Sequence, residues 1–298
     1  MTPLSNLMSK HTVFSDGLKK HGLDSVEPPS TLFHYTTAGG FAGIVESRNI
    51  RATNFSFMND PSEVVHGRDL IQSLLQEARQ KHPQPRVDEL YRRTIVELNK
   101  EGASEIYVSC FTAKKDDLSQ WRAYGGSSAR YALEFDTKKL IEATLRPHSY
   151  KVRFSEVVYN QQQQHEAVSD VLEAAANMVR DLALEEADLD DCAGILFRRL
   201  ARMLPRLKAQ PYDVEAEWRI ILLVRADDTK KVKFDTSKGV IRSYIDFPLT
   251  ADRLPLKSVF VLAPSRPKAA EKAARLVLNK AGLEEAKVQY STIPVADV

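Results

Sequence analysis

Leu32-Phe33-His34-Tyr35-Thr36, followed closely by Gly40-Phe41-Ala42-Gly43-Ile44-Val45-Glu46-Ser47-Arg48, sets the frame for the rest of the chain. The first run is apolar, starts at Thr31 and carries polar groups near its end, as a packed strand does when its tip reaches a cleft. The second places Phe41, Ile44, Val45 and Arg48 at helical spacing, so a strand-to-helix turn follows His34 directly. A short strand-like segment, Ile50 to Ser56, comes next. It leads to Asn59-Asp60-Pro61-Ser62-Glu63, where Asp60 suits an N-cap, Pro61 the first helical position and Glu63 the reciprocal place in a capping box. Val64, Ile71, Leu74, Leu75 and Ala78 form the buried stripe expected of that helix.

A helix from Val87 to Lys100 follows, with Leu90, Ile95, Val96 and Leu98 on or near one side. Aromatic and β-branched runs then predict strands over Glu105 to Thr112, Arg130 to Asp136 and Lys151 to Tyr159. The glutamines 161–164 read as a solvated start to a helix reaching Leu184, and Glu185 to Asp191 as a solvated acidic face. A helix from Cys192 to Met203 stops before Pro205. Strands at Glu217 to Val224, Val240 to Phe247, Ser258 to Ala263 and near Val288 to Ser291, with a helix over about Lys268 to Ala281, complete the chain. Strands and helices alternate irregularly, which favours an α+β fold with a largely antiparallel strand core over a regular βαβ repeat. Residues 1–30 read as an N-terminal arm, and 31–298 as a single domain with a helical insertion at about 160–205.

Composition narrows the function classes. With 298 residues, 43% hydrophobic and 28% charged, the chain can bury a full core. Its 42 basic and 40 acidic side chains leave a formal charge of +2, which supplies no global field for nucleic acid or membrane. Cys110 and Cys192 lie far apart in apolar surroundings, as reduced thiols of a cytoplasmic protein would, and their spacing does not suit zinc. No apolar stretch approaches the ~20 residues of a membrane span, and the start carries no secretory pattern.

Four places carry chemistry. His34 and Thr36 project from one side of a strand end, where they hold a ligand or merely satisfy the backbone. Asn59 can donate an amide to a ligand, although a turn before a helix explains it equally. Gln120-Trp121-Arg122-Ala123-Tyr124-Gly125 combines rings, an amide and a fixed cation between strands. Such groups suit stacking on a flat ring and pairing with phosphate, or else a loop pinned by Trp121 in the core. Glu215 and Glu217 stand two apart at a strand start and share a face, with Trp218, Ile220 and Leu222 opposite. A carboxylate there can stabilise an oxocarbenium-like centre, or it can pair with Arg219 or another cation. Neither a dinucleotide glycine fingerprint nor a Walker sequence is present.

Phe33-His34-Tyr35-Thr36, Asn59-Asp60-Pro61-Ser62-Glu63, Ser109-Cys110-Phe111-Thr112, Ser119 to Gly125 and Glu217-Trp218-Arg219, in that order, resemble domain of unknown function 2971 (DUF2971), a bacterial family, from about Leu32 to Pro294. The chain departs from that pattern at Ala263-Pro264, where Gly-Pro is expected, and in lacking an arginine soon after Pro294. His-x-Thr on the first strand, a short helix after it and a late Ala216-Glu217 before an apolar strand are more distantly similar to the NAD-dependent ADP-ribosyltransferases. That resemblance implies an ADP-ribosyltransferase-like fold and NAD as substrate, with His34 holding a ribose, Tyr124 or Trp121 stacking on nicotinamide, and Glu217 catalytic. Tyr35, Thr36, Asn59, Gln120 and Arg122 complete the expected NAD-binding set, Arg122 on the pyrophosphate by its charge. The implied acceptor is DNA, RNA or protein, and a toxin or phage-defence role would bring a neutralising antitoxin or immunity partner. An NAD glycohydrolase at the same site and a non-catalytic nucleotide-binding module are the competing expectations, with no metal and no membrane in any of them.

Overall fold

A computed structural model describes residues 26–58, 62–99, 105–124, 129–181, 188–224, 230–236, 239–250, 252–263 and 265–293. Strand β1 (Thr31–Thr37) runs into helix α1 (Ala38–Ser47), which returns through Arg48 to β2 (Asn49–Asn54). Thr37 caps α1 by accepting from the Gly40 amide at 3.2 Å, and Arg48 closes the helix in the left-handed region at φ 57°. The expected strand beyond Asn54 is instead a 3-10 turn over Phe55–Phe57. Helices α2 (Ser62–Lys81) and α3 (Pro85–Leu98) precede β3 (Glu105–Thr112). The stretch between strands, for which a loop pinned by Trp121 is one of the two expectations, is a short helix, α4 (Leu118–Tyr124). Asp117 starts it by accepting from the Ser119 and Gln120 amides at 2.9 and 3.2 Å.

The chain continues through β4 (Arg130–Asp136), α5 (Thr137–Thr144), β5 (Lys151–Glu156), α6 (Gln161–Asp181), α7 (Leu189–Ala201), β6 (Glu217–Val224), β7 (Lys233–Asp235), β8 (Arg242–Pro248), β9 (Leu256–Leu262), α8 (Pro267–Lys280) and β10 (Lys287–Tyr290). The expected largely antiparallel sheet is present: every strand pair among the described residues is antiparallel except β9 with β10.

The sheet forks at β3. One edge of β3 pairs with β6 over its whole length, from Glu105 opposite Val224 to Thr112 opposite Glu217. Its other edge is shared, with β1 at the C-terminal end (Phe33 opposite Thr112) and β2 at the N-terminal end (Thr53 opposite Val108). One limb of the fork carries β1, β4, β9 and β10, and the other β2, β8 and β7. Where the limbs part, side chains replace the missing ladder bonds: His34 Nδ1 bonds to the Cys110 carbonyl at 2.8 Å, and the Ser109 hydroxyl donates to the Arg51 carbonyl at 2.8 Å.

Helices cover both faces of the sheet. α2, α3, α6 and α7 share an apolar core with Ile106, Val108 and Ile221, while α1, α5 and α8 pack with Tyr107, Phe111, Trp218, Ile220 and Leu222 on the other side. The helices expected as an insertion at about 160–205 therefore join α2 and α3 in one layer. Val96, expected near the buried side of α3, is exposed. Gln164, read within a solvated run, is 1% exposed, and its amide donates to the Val158 and Lys208 carbonyls at 2.6 and 2.8 Å. Among the described residues no helix is long and apolar enough to cross a membrane. Both cysteines are free.

Two glycines of α1 make a paired test. A Cβ on Gly40 would come 2.0 Å from the Thr36 hydroxyl, whereas one on Gly43 meets nothing within 4 Å. Gly40→Ala is expected to lower stability by about 1–3 kcal/mol through overpacking, and Gly43→Ala to raise it by about 0.5–1 kcal/mol. Thermal melts of the two variants give the opposite signs directly.

Candidate functional site

The fork opens a cleft of about 530 Å³ between the limbs, floored by His34 and Thr36 of β1 and walled by Gly39, Gly40 and Gly43 of α1 and by Asn49 and Arg51 of β2. Asp235 and Asp246 close its far rim. A second, much smaller cavity of about 20 Å³ lies where β1 leaves β3, bounded by Phe33 to Tyr35, Cys110 to Thr112, Gln120, Glu215 and Glu217. His34 borders both.

The Cys110 carbonyl only accepts, so His34 Nδ1 must carry the proton there. Burial pulls the imidazole pKa down and the carbonyl only partly offsets it, so the ring tends to be neutral with a lone pair on Nε2. That is the form that accepts from a ligand hydroxyl. Tyr35 has no such freedom: its hydroxyl donates to the Lys114 carbonyl at 3.0 Å and accepts from the Asp117 amide at 2.9 Å.

Glu217 is 3% exposed and lies at the centre of a buried ion cluster. Arg219 grips both of its oxygens, Nε to Oε1 at 2.8 Å and a terminal nitrogen to Oε2 at 2.7 Å. Lys208 Nζ approaches Oε2 at 3.2 Å and also meets Glu215 at 2.6 Å and Glu63 at 2.7 Å. Glu63 in turn reaches Arg219 at 2.7 Å. Burial opposes ionisation of Glu217, but Arg219 and Lys208 outweigh it and hold the carboxyl down to about 2. Burial pushes Glu215 up instead, despite its bond to Lys208. The salt-bridge reading of Glu217 is thus the geometry observed.

The expected shared face of Glu215 and Glu217 is not that of a strand. Glu215 ends a 3-10 turn, and Ala216 sits in the left-handed region at φ 43°, before β6 begins. Both carboxylates still reach Lys208. Nor is Trp218 on the sole buried face, because Glu217, Arg219 and Ile221 are covered by the helical layer.

Of the other expected site residues, His34, Tyr35, Gln120 and Glu217 come together around the small cavity, and Thr36 lies with His34 in the large cleft. Trp121 is 1% exposed, its ring edge-on to Tyr35 and its Nε1 donating to Asp116 at 2.8 Å, so it anchors α4. Arg122 is exposed. Asn59, Asp60 and Pro61 lie outside the described residues, as do Gly125 and Gly126 and the side chain of Tyr124. The sequence explains Glu63 by a helix cap and singles out nothing at Lys208. A usable signal was present, since Arg219 interrupts Trp218-Ile220-Ile221-Leu222 and Lys208 follows Leu204-Pro205-Arg206-Leu207, and a cation within an apolar run needs a carboxylate partner.

The structure defines a mixed α/β protein with a forked, largely antiparallel sheet, a cleft in the fork and a buried ion cluster beside it. Residues 120–220, which span α4 to the middle of β6 and include Lys208, Glu217 and Arg219, match the family described as "Protein of unknown function (DUF2971)". No curated protein and no solved structure matches the chain.

Proposed function

We propose that the chain binds NAD in the fork and transfers its ADP-ribose to a macromolecule. The observation that carries this reading is that His34 borders both the large cleft and the small cavity reached by Glu217, which links a ligand-sized space to an ionised carboxylate. A volume of about 530 Å³ is of the size that small ligands and cofactors occupy. In this reaction the bond between nicotinamide and ribose C1′ breaks, its electron pair leaves with nicotinamide, and the acceptor's nucleophile closes on the resulting ribosyl cation. His34 Nε2 accepts from a ribose hydroxyl, and Glu217 supports the cation electrostatically. Water as acceptor turns the same site into an NAD glycohydrolase.

One observation favours a second reading, a nucleotide-binding module without turnover: both oxygens of Glu217 are already held by cations. Nicotinamide release from labelled NAD separates them, with DNA, RNA and lysate protein supplied as acceptors. Glu217→Gln is expected to lower release about 10²- to 10³-fold. Label on a macromolecule supports the transferase and names its acceptor, free ADP-ribose supports the hydrolase, and NAD binding without release supports the module.

A further inference from the structure

Glu63 stands on α2, far from Glu217 in sequence, yet it holds the same two cations. Its Oε1 meets Lys208 and its Oε2 meets Arg219, both at 2.7 Å, and the residue is 5% exposed. Glu217 with Lys208 and Arg219 alone would make a buried group of net charge +1, which opposes a cation forming nearby. Glu63 brings that group to zero, and Glu215 adds one further negative charge on the side facing the small cavity. The same contacts fix how Glu217 is gripped, because one terminal nitrogen of Arg219 and the Nζ of Lys208 each bridge Glu63 and Glu217.

We propose that Glu63 is a positioning residue for Glu217: it offsets the two cations that hold the carboxylate, so that the cluster favours a cationic ribosyl centre while Glu217 remains oriented. This rests on the functional reading above. It also assigns the α2 layer a part in the site, since α2 supplies the counter-charge. Glu63 itself need touch neither NAD nor acceptor.

The test compares nicotinamide release and melting temperature for the wild type, Glu63→Gln, Glu63→Asp, Lys208→Met and the double variant Glu63→Gln/Lys208→Met. By charge count the Glu63→Gln cluster gains one positive unit, and the double variant returns to the wild-type total. Glu63→Gln is expected to lower kcat about 10- to 100-fold with KM for NAD little changed. Glu63→Asp, which keeps the charge, retains most of kcat, and the double variant recovers much of what Glu63→Gln loses. A purely structural Glu63 predicts instead that kcat follows melting temperature and that the two losses add. Wild-type kcat in Glu63→Gln, or additive losses in the double variant, overturns the inference alone. If Glu63→Gln does not fold, loss of kcat in a folded Glu63→Asp or double variant overturns it equally. A wild-type protein that releases no nicotinamide overturns the functional reading and this inference together.

Discussion

Arg219→Met is expected to cost about 3–5 kcal/mol of folding stability, the range for removing one partner from a buried ion pair. Arg219 is 0% exposed, and its guanidinium donates to both oxygens of Glu217, to Glu63 at 2.7 Å and to the Pro205 carbonyl at 2.9 Å. Methionine fills much of the same volume, so the loss comes from stranded charge rather than from a cavity. Glu63 and Glu217 would be left to share Lys208 under a layer of helices that excludes water. Urea denaturation measures the change as a shift in midpoint at constant slope. Removing the carboxylates as well, in Glu63→Gln/Glu217→Gln/Arg219→Met, should cost less than the single change, because the one cation of the cluster that remains, Lys208, keeps Glu215 as its counter-ion at 2.6 Å. A single-variant loss below about 1 kcal/mol, the range of exposed pairs, would show that the cluster is hydrated.

Trp121→Ala carries a comparable expected loss, about 3–5 kcal/mol, with a different origin. The indole packs in a satellite core with Phe33, Tyr35, Ala132, Phe260 and Leu262, its ring 4.8 Å from that of Tyr35. Its Nε1 donates to Asp116, which is itself in the left-handed region at φ 50° and accepts from the Ser291 hydroxyl and the Thr292 amide at 2.5 and 2.7 Å. Trp121 therefore joins β1, α4 and the segment after β10. Trp121→Phe keeps most of the apolar contact and gives up the hydrogen bond, for an expected cost of about 1–2 kcal/mol. Equal losses in the two variants would locate the whole effect in the bond to Asp116 rather than in packing.

Local signals were legible wherever burial on two faces made them strong. The limits of β4 match the strand expected over Arg130 to Asp136 residue for residue, with Tyr131, Leu133 and Phe135 alternating along it, and β3 matches the aromatic and β-branched run Glu105 to Thr112 in the same way. The stripe Ile71, Leu74 and Leu75 is buried as its spacing requires. α4 is a helix of only seven residues, too short for an apolar stripe to show in the sequence, although its cap is written there at Asp117. A capping box is enough to account for a glutamate at position 63, and nothing local in the sequence reveals its partners at Lys208 and Arg219. The fork had no local signature at all. It arises because two strands share one edge of a third, a pairing that depends on residues far apart in the chain. The sequence singles out His34 at a strand end and the structure places it on both cavities, but its bond to the Cys110 carbonyl follows only from that shared edge.

The fork also decides how the cleft can respond to load. Each limb is joined to β3 at a different end, and the chain crosses directly from one limb to the other twice, through α1 between Thr37 and Arg48 and again between the end of β8 at Pro248 and the start of β9 at Leu256. A ligand that draws the limbs together need not break a ladder of hydrogen bonds. It has to twist β3 and carry both crossings with it, and the Leu249 amide donates to the Arg48 carbonyl at 3.1 Å where the second crossing meets the end of α1, so the aperture is braced on that side as well as by β3. The His34–Cys110 and Ser109–Arg51 bonds sit at the crotch, where a given twist displaces atoms least.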